Sequence, residues 1–214
     1  MIGFIGGTGP EGRGLALRFA LSGESVTVGS RDAARAKDAA DEISFLAPDA
    51  SIEAGLNRDV AEKADTAFVT VPYSGQRGTL EPLKTALAGK IIVVTVAPLR
   101  FGKGGVSSLP VEAGSAAAEV SEILPHSRVV AAFQTISAHD LLEPEKRIDT
   151  DVVVCSDDQG AKQAVMALAE KIEGVRAVDG GGLRNAAYVE QVTALLLNIN
   201  RIYKARSAIK IVGI

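Results

Sequence analysis

Gly7-Thr8-Gly9-Pro10-Glu11-Gly12 sets three glycines at the spacing G-x-G-x-x-G, between the apolar run Met1-Ile2-Gly3-Phe4-Ile5 and a stretch of helical character. A glycine turn that leaves a strand and opens a helix is the setting in which this spacing serves dinucleotide binding. Gly7 permits the tight turn, Gly9 lets a pyrophosphate approach the backbone, and Gly12 lets the helix pack closely on the strand. Thr8, Pro10 and Glu11 lie in the same turn, at a helix N-terminus whose free N–H groups and partial positive charge suit an anion.

An NAD-selective site carries an acidic residue at the end of the second strand, about 20 residues further on, to accept the ribose 2′-hydroxyl. This chain has Gly29-Ser30-Arg31 there. Ser30 can donate to a phosphate oxygen, and Arg31 offers a planar fork that a 2′-phosphate accepts. Arg35 lies one helical turn beyond and can point the same way. The plainer alternative is that Ser30 caps a helix and both arginines are solvated beside Asp32. The missing acid favours NADP over NAD. Further along, Val71-Pro72-Tyr73 and Val96-Ala97-Pro98-Leu99 end two strongly apolar strands. Proline fixes the backbone and removes a donor, so Val71, Pro72, Tyr73, Ala97 and Pro98 can wall a flat nicotinamide ring.

These residues must be positioned by alternating strands and helices. Strands are expected near 2–5, 25–29, 51–55, 66–71, 90–96 and 128–133, with helices beginning after Gly9, Arg31, Asn57, Tyr73 and Val111. Near-continuous apolar runs at Ala67–Val71 and Ile91–Val94 require burial on both faces. The fold class is therefore α/β, a Rossmann-type doubly wound parallel sheet with a small C-terminal α/β unit. The acidic segment from Asp140 to Asp151 divides an NADP-binding domain, 1–138, from a smaller unit, 139–214. In that unit we expect a strand at 152–155, a helix over 158–172, a strand at 175–178 and a long helix over 185–203. Tyr188, Val192, Leu195, Ile199 and Ile202 form an apolar seam along that helix, read as a core face or a homodimer interface. Residues 208–212 alternate like an exposed strand.

The 214 residues are 47% hydrophobic and 23% charged, which suits one globular domain with a small appendage. Lys and Arg total 23 against 26 Asp and Glu, so no overall field draws the chain to nucleic acid or anionic lipid. Cys155, His126 and His139 are too few for a zinc cluster or a disulfide framework, so no metal is expected, and a reducing cytoplasm suits the single Cys. The most apolar stretch, 91–98, falls far short of the about 20 residues of a membrane span. The N-terminal residues read as a first strand rather than a signal peptide.

The chain resembles the coenzyme F420-dependent NADP oxidoreductases, which pass hydride between NADPH and a deazaflavin. The likeness runs nearly end to end. It is carried by Gly6-Gly7-Thr8-Gly9 with Gly12 and Gly14, by Gly29-Ser30-Arg31, Val71-Pro72, Gly114-Ser115-Ala116-Ala117 and Leu197-Asn198-Ile199-Asn200. It implies that Thr8, Ser30, Arg31 and Arg35 hold the NADP phosphates and that F420 stacks on the nicotinamide between the two units. The chain departs from the family at Gln134, where a His is expected, at Ala187, where a basic residue is usual, and at Gln191, where a Ser is usual; Thr193 matches.

Hydride transfer between two flat rings needs orientation rather than a nucleophile or metal. Gln134, Thr135 and Ser137, with Thr193, are the candidates for meeting negative charge that develops on the acceptor, and ordinary loop hydrogen bonding is the alternative for them. Other acceptors remain open, a free flavin or a small imine or carbonyl compound, as does an NADP-binding protein without enzymatic activity. The basic residues Arg184, Arg201, Lys204, Arg206 and Lys210, with Arg100 and Lys103, are the expected attraction for an anionic acceptor tail.

Overall fold

The computed structural model describes residues 1–214. The chain runs β1 (Ile2–Ile5), α1 (Pro10–Leu21), β2 (Val26–Ser30), α2 (Ala33–Leu46), β3 (Ile52–Leu56), α3 (Asn57–Lys63), β4 (Thr66–Val69), α4 (Tyr73–Leu80) and β5 (Ile91–Val94). A hairpin of β6 (Leu99–Gly102) and β7 (Gly105–Ser108) follows, then α5 (Ala116–Ile123) and β8 (Arg128–Ala131). The six parallel strands stand in the order β3-β2-β1-β4-β5-β8, the doubly wound order whose switch point lies between β1 and β4. β1, β4 and β5 are buried at every residue, whereas β3 at the sheet edge is largely exposed.

Alternation along β1 sends Ile2 and Phe4 to one apolar layer and Ile5 to the other. Phe4, Phe19, Phe68 and Phe133 pack in the first layer, with ring centroids from 5.1 Å for Phe4–Phe68 to 6.4 Å for Phe4–Phe19. Phe133 stands just beyond β8 at φ 71°, a left-handed conformation costly for a bulky residue. Its buried ring packs against Phe19 and Phe68, which holds that backbone turn and directs the next residue, Gln134, to the sheet's carboxyl end.

The C-terminal unit holds α6 (Ala138–Leu141), β9 (Thr150–Val154), α7 (Gln159–Ala169), β10 (Val175–Asp179) and α8 (Ala186–Tyr203). β9 and β10 are parallel with α7 as their crossover. β9 joins the edge of the large sheet where Ala131 and Cys155 exchange two backbone hydrogen bonds, of 2.9 and 3.0 Å. Both apolar layers draw residues from either side of position 138, Val152 and Val165 in one and Leu183 and Val189 in the other. Arg18, buried in α1, ties down the acidic connection by donating to the carbonyls of Asp140, Leu141, Glu143 and Pro144. At Gly14 an added Cβ would stand 2.6 Å from Leu141 Cβ, so this glycine is the contact point of α1 with α6. No helix is long and apolar enough to cross a membrane.

Three features differ from expectation. The hairpin β6–β7 and the short α6 carry no periodic signal long enough to read. The 208–212 tail forms no strand; instead Ile209 C=O accepts from Asp151 N–H, and Ile211 N–H donates to the Asp151 carboxylate, which Arg176 also clasps. The apolar seam of α8 is not a core face. Ala186, Val189, Glu190 and Ala194 face inward, and Tyr188, Leu195 and Ile202 are exposed.

Candidate active site

A cleft of about 690 Å³ opens at the carboxyl ends of β1, β2, β4 and β5. Its floor begins with the glycine turn. Gly6 takes the left-handed conformation, φ 73°, and an added Cβ would meet Val71 Cγ1 at 2.3 Å, so the tight turn falls on Gly6 rather than Gly7. Gly7 and Gly12 lie off the cleft and against each other: a Cβ on Gly12 would stand 2.6 Å from Gly7 Cα. Gly9 faces open space, with nothing within 4 Å of where its Cβ would be. α1 starts there with Pro10 and no side-chain cap, so its first N–H groups are left for an anion. Asn57, from the start of α3, braces the turn by accepting from Gly6 N–H at 3.0 Å.

Ser30, Arg31 and Arg35 line the same cleft. Asp32 is committed to capping α2 through Ala34 N–H and Arg35 N–H, and neither arginine has a carboxylate partner. Ser30 Oγ accepts from Asp32 N–H at 3.2 Å, which leaves its own proton to donate. Glu11, on the first turn of α1, lines the cleft with Oε1 buried and without a partner. Burial raises its pKa to about 8, so its carboxyl is neutral below that pH.

Thr8 and Pro10 of the glycine turn also line the cleft, as do Val71, Pro72, Tyr73 and Ala97, with Thr95, Val96 and Leu99. Gln134 and Thr193 meet at the far end. Thr193, on α8, donates its hydroxyl to the Gln134 carbonyl at 3.0 Å. Gln134 Nε2 donates to Val94 C=O at 3.1 Å, and its Oε1 is buried without a partner. α8 is held in this position by Glu190, a buried carboxylate that accepts from Ala116 N–H at 2.8 Å and Ala117 N–H at 3.1 Å at the start of α5. Burial pushes Glu190 up to about 7, against the opposite pull of those two N–H groups.

Besides Gly7 and Gly12, three anticipated residues lie elsewhere. Pro98 is turned to a small neighbouring hollow with Ala187, Glu190 and Gln191, Thr135 is buried, and Ser137 caps α6 by accepting from Asp140 N–H. Of the cleft residues that went unanticipated, Thr70 adjoins Val71-Pro72 and was within reach of the strand-end rule. Asn57 had no local signal, because its partner is 51 residues away. The expected basic excess is partly neutralised: Arg206 pairs with Asp140 and Glu143, and Lys210 with Asp149.

The open Gly9, the uncapped α1, the two unpaired arginines and the orphaned Gln134 Oε1 fit a dinucleotide with an extra phosphate, its polar ring end lying toward Gln134. Residues 1–98 match the family model described as NADP oxidoreductase, coenzyme F420-dependent. The F420-dependent NADP reductase of Methanothermobacter thermautotrophicus is 42% identical over 97% of this chain and 92% of that protein. The protein of the same name from Methanocaldococcus jannaschii is 36% identical over 96% of this chain and 94% of its own length. A crystal structure from Arthrobacter sp. FB24, described as a candidate F420-dependent NADP-reductase, superposes with a TM-score of 0.85 at 25% identity, covering 99% of both chains.

Proposed function

The chain belongs to the coenzyme F420-dependent NADP oxidoreductases, and on that premise we propose that its cleft passes hydride between NADPH and the deazaflavin F420. NADPH supplies the hydride at nicotinamide C4, and F420 supplies the ring that accepts it. The observation that carries the reading is one continuous cleft with phosphate-binding groups at one end and the Gln134–Thr193 contact at the other. Thr8, Ser30, Arg31 and Arg35 hold phosphates, and Gly9 with the first N–H groups of α1 takes the pyrophosphate. Val71, Pro72, Tyr73 and Ala97 form the wall that keeps water from the nicotinamide ring.

Gln134, with Thr193 donating to its carbonyl and its own Nε2 held on Val94 C=O, orients the ring end by presenting its unpartnered Oε1 as an acceptor for an N–H of the ring. Residues 1–138 thus serve the dinucleotide and 139–214 complete the acceptor side. The near end-to-end F420-dependent relatives favour F420 over a free flavin or a small imine, and over a role without catalysis. The test is purified protein with NADPH, screened by absorbance against F420, flavin mononucleotide and a simple imine. Bleaching of F420 is the expected result, and turnover of the flavin or imine alone would refute it.

The exposed seam of α8, with Tyr188 at 69% and Leu195 at 57% exposure, supports a homodimer. Sedimentation should show a dimer that becomes a folded monomer when Leu195 and Ile199 are both changed to Glu; an unchanged sedimentation coefficient would refute it. A cytoplasmic location goes with this reading, supported by the free, buried Cys155.

A further inference from the structure

Asn198 lies on α8 about 7.5 Å along the axis beyond Thr193. Its side chain meets one residue of β7 twice. Oδ1 accepts from Val106 N–H at 2.9 Å, and Nδ2 donates to Val106 C=O at 2.7 Å and to Ala194 C=O at 2.9 Å. An amide placed in this way stands where a third strand would, taking the outward donor and acceptor of a single residue. The orientation of the amide follows, because the reverse would set oxygen against carbonyl and NH2 against N–H.

Gly105 is fitted to the same bracket. It takes φ +124°, and an added Cβ would stand 2.3 Å from Asn198 Oδ1. A two-stranded hairpin is marginally stable alone, and β6–β7 pairs with no other strand. Its root is closed by Leu109 N–H donating to Pro98 C=O at 2.8 Å. From that root Leu99 lines the cleft, while α8 supplies Thr193 to it. The bracket therefore joins the two elements that face each other across the end of the cleft holding Gln134.

Resting on the reading of that end as the acceptor side, we propose that Asn198 is a positioning residue for the acceptor: by clamping β7 to α8 it sets the separation of Leu99 from Thr193 and Gln134. The dinucleotide end, built on β1, β2 and α1, does not depend on the clamp.

The test uses Asn198→Ala, Gly105→Ala, their double variant and Asn198→Asp, with circular dichroism to verify folding. The readouts are NADPH Kd by calorimetry, kcat and KM with F420, and amide hydrogen exchange at Val106. The clamp predicts faster Val106 exchange, a KM for F420 raised about tenfold in each alanine variant, and NADPH Kd within about twofold of the unsubstituted protein. The double variant should lose clearly less than the sum of the single ones, since both remove the same contact and only the backbone strain at φ +124° is separate. Asn198→Asp retains the bond from Val106 N–H alone and should fall between. An unchanged F420 KM, parallel losses in F420 KM and NADPH Kd, or additive effects in the double variant would overturn the proposal. The unsubstituted protein separates the two failures. No F420 turnover by it rejects the acceptor assignment, whereas normal turnover with an unchanged KM in folded variants rejects the clamp alone.

Discussion

The two ends of the cleft are built by different means. At the dinucleotide end the groups facing the ligand are backbone N–H groups, an open glycine and side chains that immediately follow β1 and β2. At the acceptor end the defining contacts are between side chains and backbone far apart in the chain: Thr193 to Gln134 spans 59 residues, and Asn198 to Val106 spans 92. The first end inherits its geometry from the parallel sheet and is lost only by filling or discharging it. The second is set by where α8 docks, through Glu190, Thr193 and Asn198. Recognition of a phosphate needs only local backbone, while the separation of two walls needs an element that reaches across.

Substitutions that respect this division should separate the two ends. The largest effect is expected at Gly9. Because its Cβ position is empty, Gly9→Val should leave the melting temperature nearly unchanged while NADPH binding falls at least about a hundredfold by calorimetry. Gly12→Val should do the reverse of sparing the fold, because its Cβ strikes the Gly7 backbone; a destabilised protein by thermal melting is the outcome to check.

Arg31→Ala comes next. Loss of one charge-assisted contact of about 1.5–3 kcal/mol should raise the NADPH Michaelis constant roughly ten- to a hundredfold and leave that for NADH nearly untouched. Equal effects on both would remove Arg31 from the phosphate site.

Glu11 gives the dinucleotide end a pH dependence. Its folded pKa of about 8 stands above the ordinary glutamate value of 4.5, so between the two the native state holds a proton that the unfolded chain has released. Stability is therefore lost progressively as pH rises from 4.5 through about 8. An ionised Glu11 would also add negative charge to the cleft that takes the pyrophosphate, which Arg31 and Arg35 line as well. NADPH Kd should rise by up to about tenfold per pH unit above the folded pKa, and Glu11→Gln should flatten that profile. A wild-type profile in the Gln variant would refute the assignment.

The smallest effect belongs to the acceptor end. Arg201 and Lys204 are exposed and without carboxylate partners. Changing both to Ser should raise the F420 KM only a few-fold, at roughly 0.2–1 kcal/mol per exposed charge, and the difference should fade at high salt. A tail-less deazaflavin should show no change; an equal loss with it would place these charges outside acceptor binding.

Alternation of short apolar runs with Ala-rich stretches determined the parallel sheet, and the glycine spacing with Gly29-Ser30-Arg31 determined which loops gather Thr8, Gly9, Ser30 and Arg31 in one cleft. Those signals are local: strand period, turn conformation and helix start act within a few residues, so they can be read along the chain. The direction of the α8 seam was not of that kind. A 3.5-residue apolar repeat looks the same on a core face and on an exposed one, and only the docking of Glu190 on α5 decided which side turned inward. The hairpin is not legible in the sequence because two four-residue strands carry little periodicity and their stabilising partner, Asn198, lies 92 residues away. Gln134 was legible as a polar residue beyond a strand, yet its placement in the cleft depends on the left-handed turn at Phe133, which four packed aromatic rings from separate elements hold in place. Side chains that meet across the fold are set by packing, and packing is decided only when the whole chain has closed.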